Sequence, residues 1–159
     1  MNDSARITVS VSVPPARAFE VFTQETDLWW RRGGKYRHFG GERALIAIEP
    51  CEGGRVFESL GEQGPVHEIG RVLAWQPPER LCFEWRLVNF APDERTEVEV
   101  TFEPLGAGTK VTVVHRGWAA IRADHPARHG EAAAAFIGTM GRWWADQLRV
   151  YRLQAAATA

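Results

Sequence analysis

The spacing of hydrophobic positions changes twice along the chain. Ile7 to Val13 reads I-T-V-S-V-S-V, apolar at every second position, which is the pattern of a half-buried strand. Pro14-Pro15 ends it, and Pro15 suits the first turn of a helix, where its missing N–H costs nothing. That helix reads A-R-A-F-E-V-F-T and places Phe19 and Phe22 on one face at i, i+3. A second short helix is expected over Thr26–Arg31, followed by a glycine-bearing basic loop from Arg32 to Gly41. Strand-like segments then follow at Arg43–Glu49, Arg55–Ser59, Val66–Trp75, Leu81–Val88, Thr96–Glu103 and Thr109–Arg116. Turn chemistry separates them, at Glu52-Gly53-Gly54, Gly61 to Pro65, Pro77-Pro78, Ala91-Pro92-Asp93 and Gly106-Ala107-Gly108. In Thr96–Glu103 the alternation is clearest, with Val98, Val100 and Phe102 on one side and Glu97, Glu99 and Glu103 on the other. One wet and one apolar face is what hairpin-connected antiparallel strands produce.

From about Asp124 the period lengthens. Pro126 sits in a first helical turn, and Phe136, Met140, Trp144, Leu148 and Tyr151 recur every three to four residues. About 28 helical residues would span roughly 40 Å, enough to cross a domain. The Ala155–Ala159 tail is expected to fray. The chain therefore reads as one α+β domain over residues 1–159. Hairpin-connected antiparallel strands precede one long C-terminal helix.

Composition sharpens this picture at a few points. A chain of 159 residues buries enough surface for one core without staples. Seven Trp in so short a chain hint at pocket walls as well as packing, because Trp has a large apolar body and one donor. A net charge of −1 supplies no basic field, so neither nucleic acid nor an anionic membrane is expected as a partner. Cys51 and Cys82 share no CxxC spacing and are expected to be reduced thiols. The N-terminal MNDSARITVSVSV has no apolar run after a basic start, so it does not read as a signal peptide. No apolar run approaches the roughly 20 residues that span a bilayer. A cytoplasmic protein is the expectation.

Candidate chemistry is sparse. Leu81, Phe83 and Trp85, with Val98, Val100 and Phe102, form the inner wall of the sheet, read either as core or as pocket lining. Trp29-Trp30 stands beside Arg31, Arg32, Lys35 and Arg37. Adjacent helical residues point about 100° apart, so one Trp is expected to pack inward and the other to sit near a pocket mouth. The charge run reads as a solvated loop or as a basic lip that steers an anionic ligand. His115 follows Val111 and Val113 at period two and points inward, as a satisfied core group or as a general acid/base. Glu58 and Glu68 lie in neighbouring strands, and one facing inward would need a partner such as Arg86 or Arg71. His125 and His129 stand at i, i+4, but Pro126 lies between them and no third ligand is suitably spaced, so no metal is expected. Gly33-Gly34 and Gly40-Gly41 lack the strand-to-helix context of a phosphate or dinucleotide loop, and no cofactor is expected.

The order of elements and several strings resemble the START-like (SRPBCC) superfamily, which includes polyketide cyclase-like members, with its helix-grip fold. Its branch named after the C-terminal domain of the heat-shock-protein-90 ATPase activator is the most similar. The strings are V-P-P-A-R-A-F-E-V-F-T at Val13–Thr23, T-D-L-W-W at Thr26–Trp30 and G-G-R-V-F-E at Gly53–Glu58. They continue with G-R-V-L-A-W-Q-P-P-E-R-L-C-F-E-W at Gly70–Trp85, G-T-K-V-T-V-V-H-R-G-W at Gly108–Trp118, and the Gly141–Tyr151 helix. The resemblance implies a curved seven-stranded antiparallel sheet gripping the last helix, with a small-molecule cavity between them. It implies function less sharply, since such folds host lipid carriage, polyketide cyclisation, hormone sensing and chaperone contact.

Three readings follow. The first is a binding, carrier or sensor protein for an apolar small molecule lined by Phe22, Trp29, Trp30, Phe83, Trp85, Val100, Phe102, His115, Phe136, Met140 and Trp144. The second is a cyclase- or hydrolase-type enzyme using His115, Glu58 or Glu68 in the same cavity. The third is a chaperone-contacting domain, ranked last because the eukaryotic activator works with a further N-terminal domain. Assembly as a homodimer is left open.

Overall fold

A computed structural model of the protein describes residues 4–86, 90–121, 124 and 133–157. Strand β1 (Ala5–Val11) is followed by helices α1 (Pro15–Gln24) and α2 (Thr26–Trp29). Six strands come next: β2 (Leu45–Ile48), β3 (Arg55–Ser59), β4 (Val66–Gln76), β5 (Arg80–Trp85), β6 (Thr96–Leu105) and β7 (Gly108–Arg116). A 3₁₀ turn at Trp118–Ala120 and the long helix α3 (Ala133–Ala157) complete the order. The seven strands form one antiparallel sheet in the order β1-β7-β6-β5-β4-β3-β2. The fold is α+β with a helix-grip arrangement. Among the described residues no helix is long and apolar enough to cross a membrane.

The period-two pattern sets which face is inside. Leu81, Phe83 and Trp85 of β5, Val98, Val100 and Phe102 of β6, and Val111 and Val113 of β7 are all buried. Directly opposed residues share a face, and the register pairs Phe83 with Val98 and Val98 with His115, so one row crosses three strands. The outer face carries the charges: Glu99 receives Arg80 Nε at 2.6 Å, and Arg116 reaches Glu97 at 3.3 Å. Glu99 is held below the ordinary carboxylate range by these guanidinium groups, which outweigh the opposing effect of burial.

Helix α1 lays Phe19 and Phe22 against Phe102, with centroids 5.1 and 5.9 Å apart. Thr23 and Thr26 each return a hydroxyl to the carbonyl four residues back, at 2.8 Å, an alternative hydrogen bond that helps the chain change direction between α1 and α2. Helix α3 closes over this layer. Tyr151 donates its hydroxyl to the Ala18 carbonyl at 2.8 Å, and burial pushes that phenol above its ordinary pKa. The helix does not fray at Ala155 as expected from the alanine tail: it continues to Ala157, and Ala155 is fully buried. Packing against the body of the domain outweighs the weak preference of an isolated terminus. Residues 125–132, where the helix start, His125 and His129 were expected, lie outside the described residues.

One glycine fixes how closely β4 and β5 approach. A Cβ on Gly70 would stand 1.8 Å from the Glu84 carbonyl oxygen, which is backbone and cannot swing aside. Gly70→Ala is therefore expected to cost about 1–3 kcal/mol or more, the scale of overpacking. Gly34→Ala is its control, because nothing lies within 4 Å of the added carbon there. Thermal melts in which Gly70→Ala tracks the wild type would disprove this account of the strand contact.

Candidate functional site

Between the concave sheet and α3 the aromatic side chains form a connected array. Trp30 stacks on Trp85 with centroids 5.5 Å apart and meets Trp143 and Trp144 edge-on at 5.8 and 5.7 Å. Trp118 packs on the His115 ring at 4.6 Å and on Phe136 at 4.8 Å. Trp118 reaches them because Gly117 adopts φ +98, a left-handed conformation open to glycine, and turns the chain back after β7. Phe22, Trp29 and Phe102 extend the array at its other end, where Trp29 meets Trp30 at 5.4 Å and Tyr151 packs against Phe22 at 5.4 Å. Phe83 and Val100 are fully buried in the floor, and Met140 is half-buried at the rim of the core.

His115 sits at the centre of a hydrogen-bonded chain. The Trp144 indole N–H donates to His115 Nδ1 at 3.0 Å, and His115 Nε2 lies 2.7 Å from the Thr96 hydroxyl. An indole nitrogen can only donate, so Nδ1 is bare and the proton resides on Nε2. Nε2–H then donates to Thr96 Oγ1, and the Thr96 hydroxyl donates to the Trp85 carbonyl at 3.0 Å. The imidazole is fully buried, and desolvation drives its pKa down from 6.5 to about 3. With both nitrogens engaged, the ring joins α3 to β5, β6 and β7. No hydrogen bond or ion pair links it to Glu58 or Glu68 among the described residues. Glu68 pairs with Arg71 at 2.8 Å on the exposed side, while Glu58 is 1% exposed and accepts from the Phe39 and Gly40 N–H groups at 2.9 and 3.1 Å.

The expectation that one of Trp29 and Trp30 sits at a pocket mouth is corrected: both are buried. Helix α2 ends at Trp29, and Trp30 is extended at φ −65, ψ 120, so the 100° spacing of a helix does not apply between them. Their indoles donate to the carbonyls of Val21 at 3.2 Å and Tyr36 at 3.0 Å. The charge run is corrected in part. Arg31, Arg32 and Lys35 are exposed, but Arg37 is fully buried. Its Nε donates to the Arg31 carbonyl, Nη1 to Asp27 Oδ1 and the Ala44 carbonyl, and Nη2 to the carbonyls of Asp27 and Trp30. That uses all five guanidinium donors. Asp27 Oδ1 also accepts the Ile46 N–H at 3.0 Å, so the cluster fastens α2 and the following loop to the edge strand.

Residues 12–151 match the family described as Activator of Hsp90 ATPase homolog 1-like protein. The chain belongs to this family. Its solved structural relatives share the helix-grip fold: protein MLL2253 from Mesorhizobium loti is 21% identical, with 98% of each chain covered and a TM-score of 0.68. The Aha1 dimer from Colwellia psychrerythraea is 15% identical, with 96% of each chain covered and a TM-score of 0.64. The anthrahydroquino-γ-pyrone synthase Txn09, solved in complex with SUM, is 33% identical over 85% of this chain and 84% of its own, with a TM-score of 0.53. No curated protein matches the chain.

Within this Activator of Hsp90 ATPase homolog 1-like domain, four residues near the array were not singled out from sequence. Trp118 and Trp143 belong to it, and the only signal was their tryptophan identity next to Gly117 and Trp144. Gln147, on the same face of α3 as Trp143 and Trp144, is fully buried; its Oε1 accepts the Arg31 N–H at 2.8 Å, and its Nε2 has no hydrogen-bond partner. His67 lies opposite Glu58 in the β3–β4 register, and its Nε2 is likewise buried without a partner. No periodicity marks a polar residue as buried, so only the assembled fold exposes these two.

Proposed function

We propose that this protein binds a flat, largely apolar aromatic molecule bearing a carbonyl, between the concave sheet and α3, and acts as its carrier or sensor. The observation that carries the reading is the Gln147 amide. Its NH₂ group is buried without a partner, one helical turn from Trp143 and Trp144, and a buried donor left unmade costs about 1–3 kcal/mol. Small-molecule sites pair apolar, aromatic walls with a few placed polar groups, and a ligand carbonyl would satisfy this donor. Trp30, Trp85, His115, Phe136, Met140 and Trp144, together with Phe83 and Val100 below, would supply the walls. Phe22, Trp29 and Phe102 would close its inner end.

A second reading, a cyclase- or hydrolase-type enzyme, draws on the 33% identity with a protein named as a synthase of an aromatic pyrone. It ranks second because both His115 nitrogens are engaged in the hydrogen-bonded chain from Trp144 to Thr96. Titration with dihydroxyanthraquinone should quench tryptophan emission saturably, with one equivalent bound. Mass spectrometry of the recovered compound separates the readings, since an unchanged mass supports binding and a lost water or new ring supports turnover. Emission that stays flat across quinones, flavones and fatty acids would remove the ligand reading.

A further inference from the structure

We propose that Glu58 and His67 form a hydroxyl-binding subsite on the concave side of the β2–β3–β4 wing, so that the preferred ligand is a phenol. This rests on the ligand reading above and adds to it the functional group that is recognised. The register opposes Ile46 to Glu58 and Glu58 to His67, which places all three on one face, and Ile46 is 2% exposed, so that face is interior. Glu58 anchors the loop through Oε2 alone, which takes the N–H groups of Phe39 and Gly40. Oε1 makes no hydrogen bond with any described residue.

Opposite it, the half-buried His67 ring stacks on Phe39, with centroids 5.7 Å and planes 24° apart, and its Nε2 is buried without a partner. Histidine and glutamate are not in ion-pair contact. His67 Nε2 is buried without a partner, and on the neighbouring strand Glu58, only 1% exposed, leaves Oε1 outside any hydrogen bond with a described residue, which calls for a third group between them. A hydroxyl meets both demands: its O–H donates to Glu58 Oε1, while its oxygen accepts from His67 Nε2–H. The subsite adjoins the aromatic array through one loop. Tyr36 stacks on Trp143 at 5.6 Å, and Phe39, three residues on and so within about 10 Å, stacks on His67.

The test compares flavone with its monohydroxy derivatives, by calorimetry, on the full chain. At least one monohydroxyflavone should bind about tenfold or more tightly than flavone, the scale of a buried hydrogen-bonding group finding its partner. Glu58→Gln keeps an oxygen for the Phe39 and Gly40 N–H groups but turns an amide toward the subsite. His67→Phe keeps the stack on Phe39 and removes Nε2. Each variant should abolish the preference while flavone affinity stays within about twofold of wild type. A wild type that binds every hydroxyflavone like flavone overturns the subsite, leaving ordered water as its occupant. A preference surviving in both variants, with melting temperatures unchanged, also overturns it. Flavone and all its derivatives failing to bind would instead overturn the ligand reading and the subsite with it.

Discussion

Arg37→Met should lower the free energy of unfolding by about 3–5 kcal/mol, the range seen when one member of a buried, hydrogen-bonded ion pair is removed. The guanidinium is fully buried and its donors satisfy four backbone carbonyls and Asp27, so a thioether of similar reach leaves these acceptors unpaired. Asp27 keeps the Ile46 N–H and Arg32, whose Nη2 lies 3.2 Å from Oδ2, which moderates the loss. Arg37→Lys should recover only part of it, because an ammonium has three donors and no planar fork. Urea titration checks both: the midpoint should fall with the slope unchanged. The effect should also persist in high salt, since the guanidinium is fully buried and four of its five acceptors are backbone carbonyls. A variant as stable as wild type would mean that the loop, rather than Arg37, holds α2 in place.

His115→Phe should cost about 2–3 kcal/mol at pH 7, because it leaves the buried Trp144 N–H without an acceptor. For a chain of this size that is a drop of roughly 5–10 °C in melting temperature. The pH dependence identifies the cause. The folded imidazole stays neutral down to about 3, whereas the unfolded one takes a proton near 6.5. The unfolded state therefore binds more protons between those values, and stability is greatest above 6.5 and falls as the pH drops toward 3. The slope from this group is about 1.4 kcal/mol per pH unit. The wild type should lose its advantage over His115→Phe as the pH is lowered, while other acid-sensitive groups cancel in the comparison. An advantage that stays constant from neutral pH to pH 4 would show that the imidazole is already charged or not buried. Ligand binding gives a second readout, since a role confined to the scaffold predicts that a folded His115→Phe still quenches with dihydroxyanthraquinone.

Much of this architecture follows from the local order of residue types. Period-two runs such as Val98, Val100 and Phe102 make strands because alternate side chains must leave opposite faces, and three-to-four spacing from Phe136 to Tyr151 makes a helix for the equivalent reason. The number of strands, the long closing helix, the inward direction of His115 and the family of the chain were all legible on that basis, aided by strings such as Q-P-P-E-R-L. What periodicity cannot carry is the fate of a polar or charged side chain, because its burial depends on partners distant in sequence. Arg37 reads as loop charge until carbonyls from two stretches, 27–31 and Ala44, converge on it. The burial of Gln147 depends on α3 docking against Arg31, and Glu58 and His67 become neighbours only through the β3–β4 register. Trp29 and Trp30 both turn inward because α2 stops between them, a break set by packing on the sheet and not by either residue's preference. Apolar burial is written locally as a repeating pattern; the partners that make polar burial affordable are supplied only by the tertiary fold.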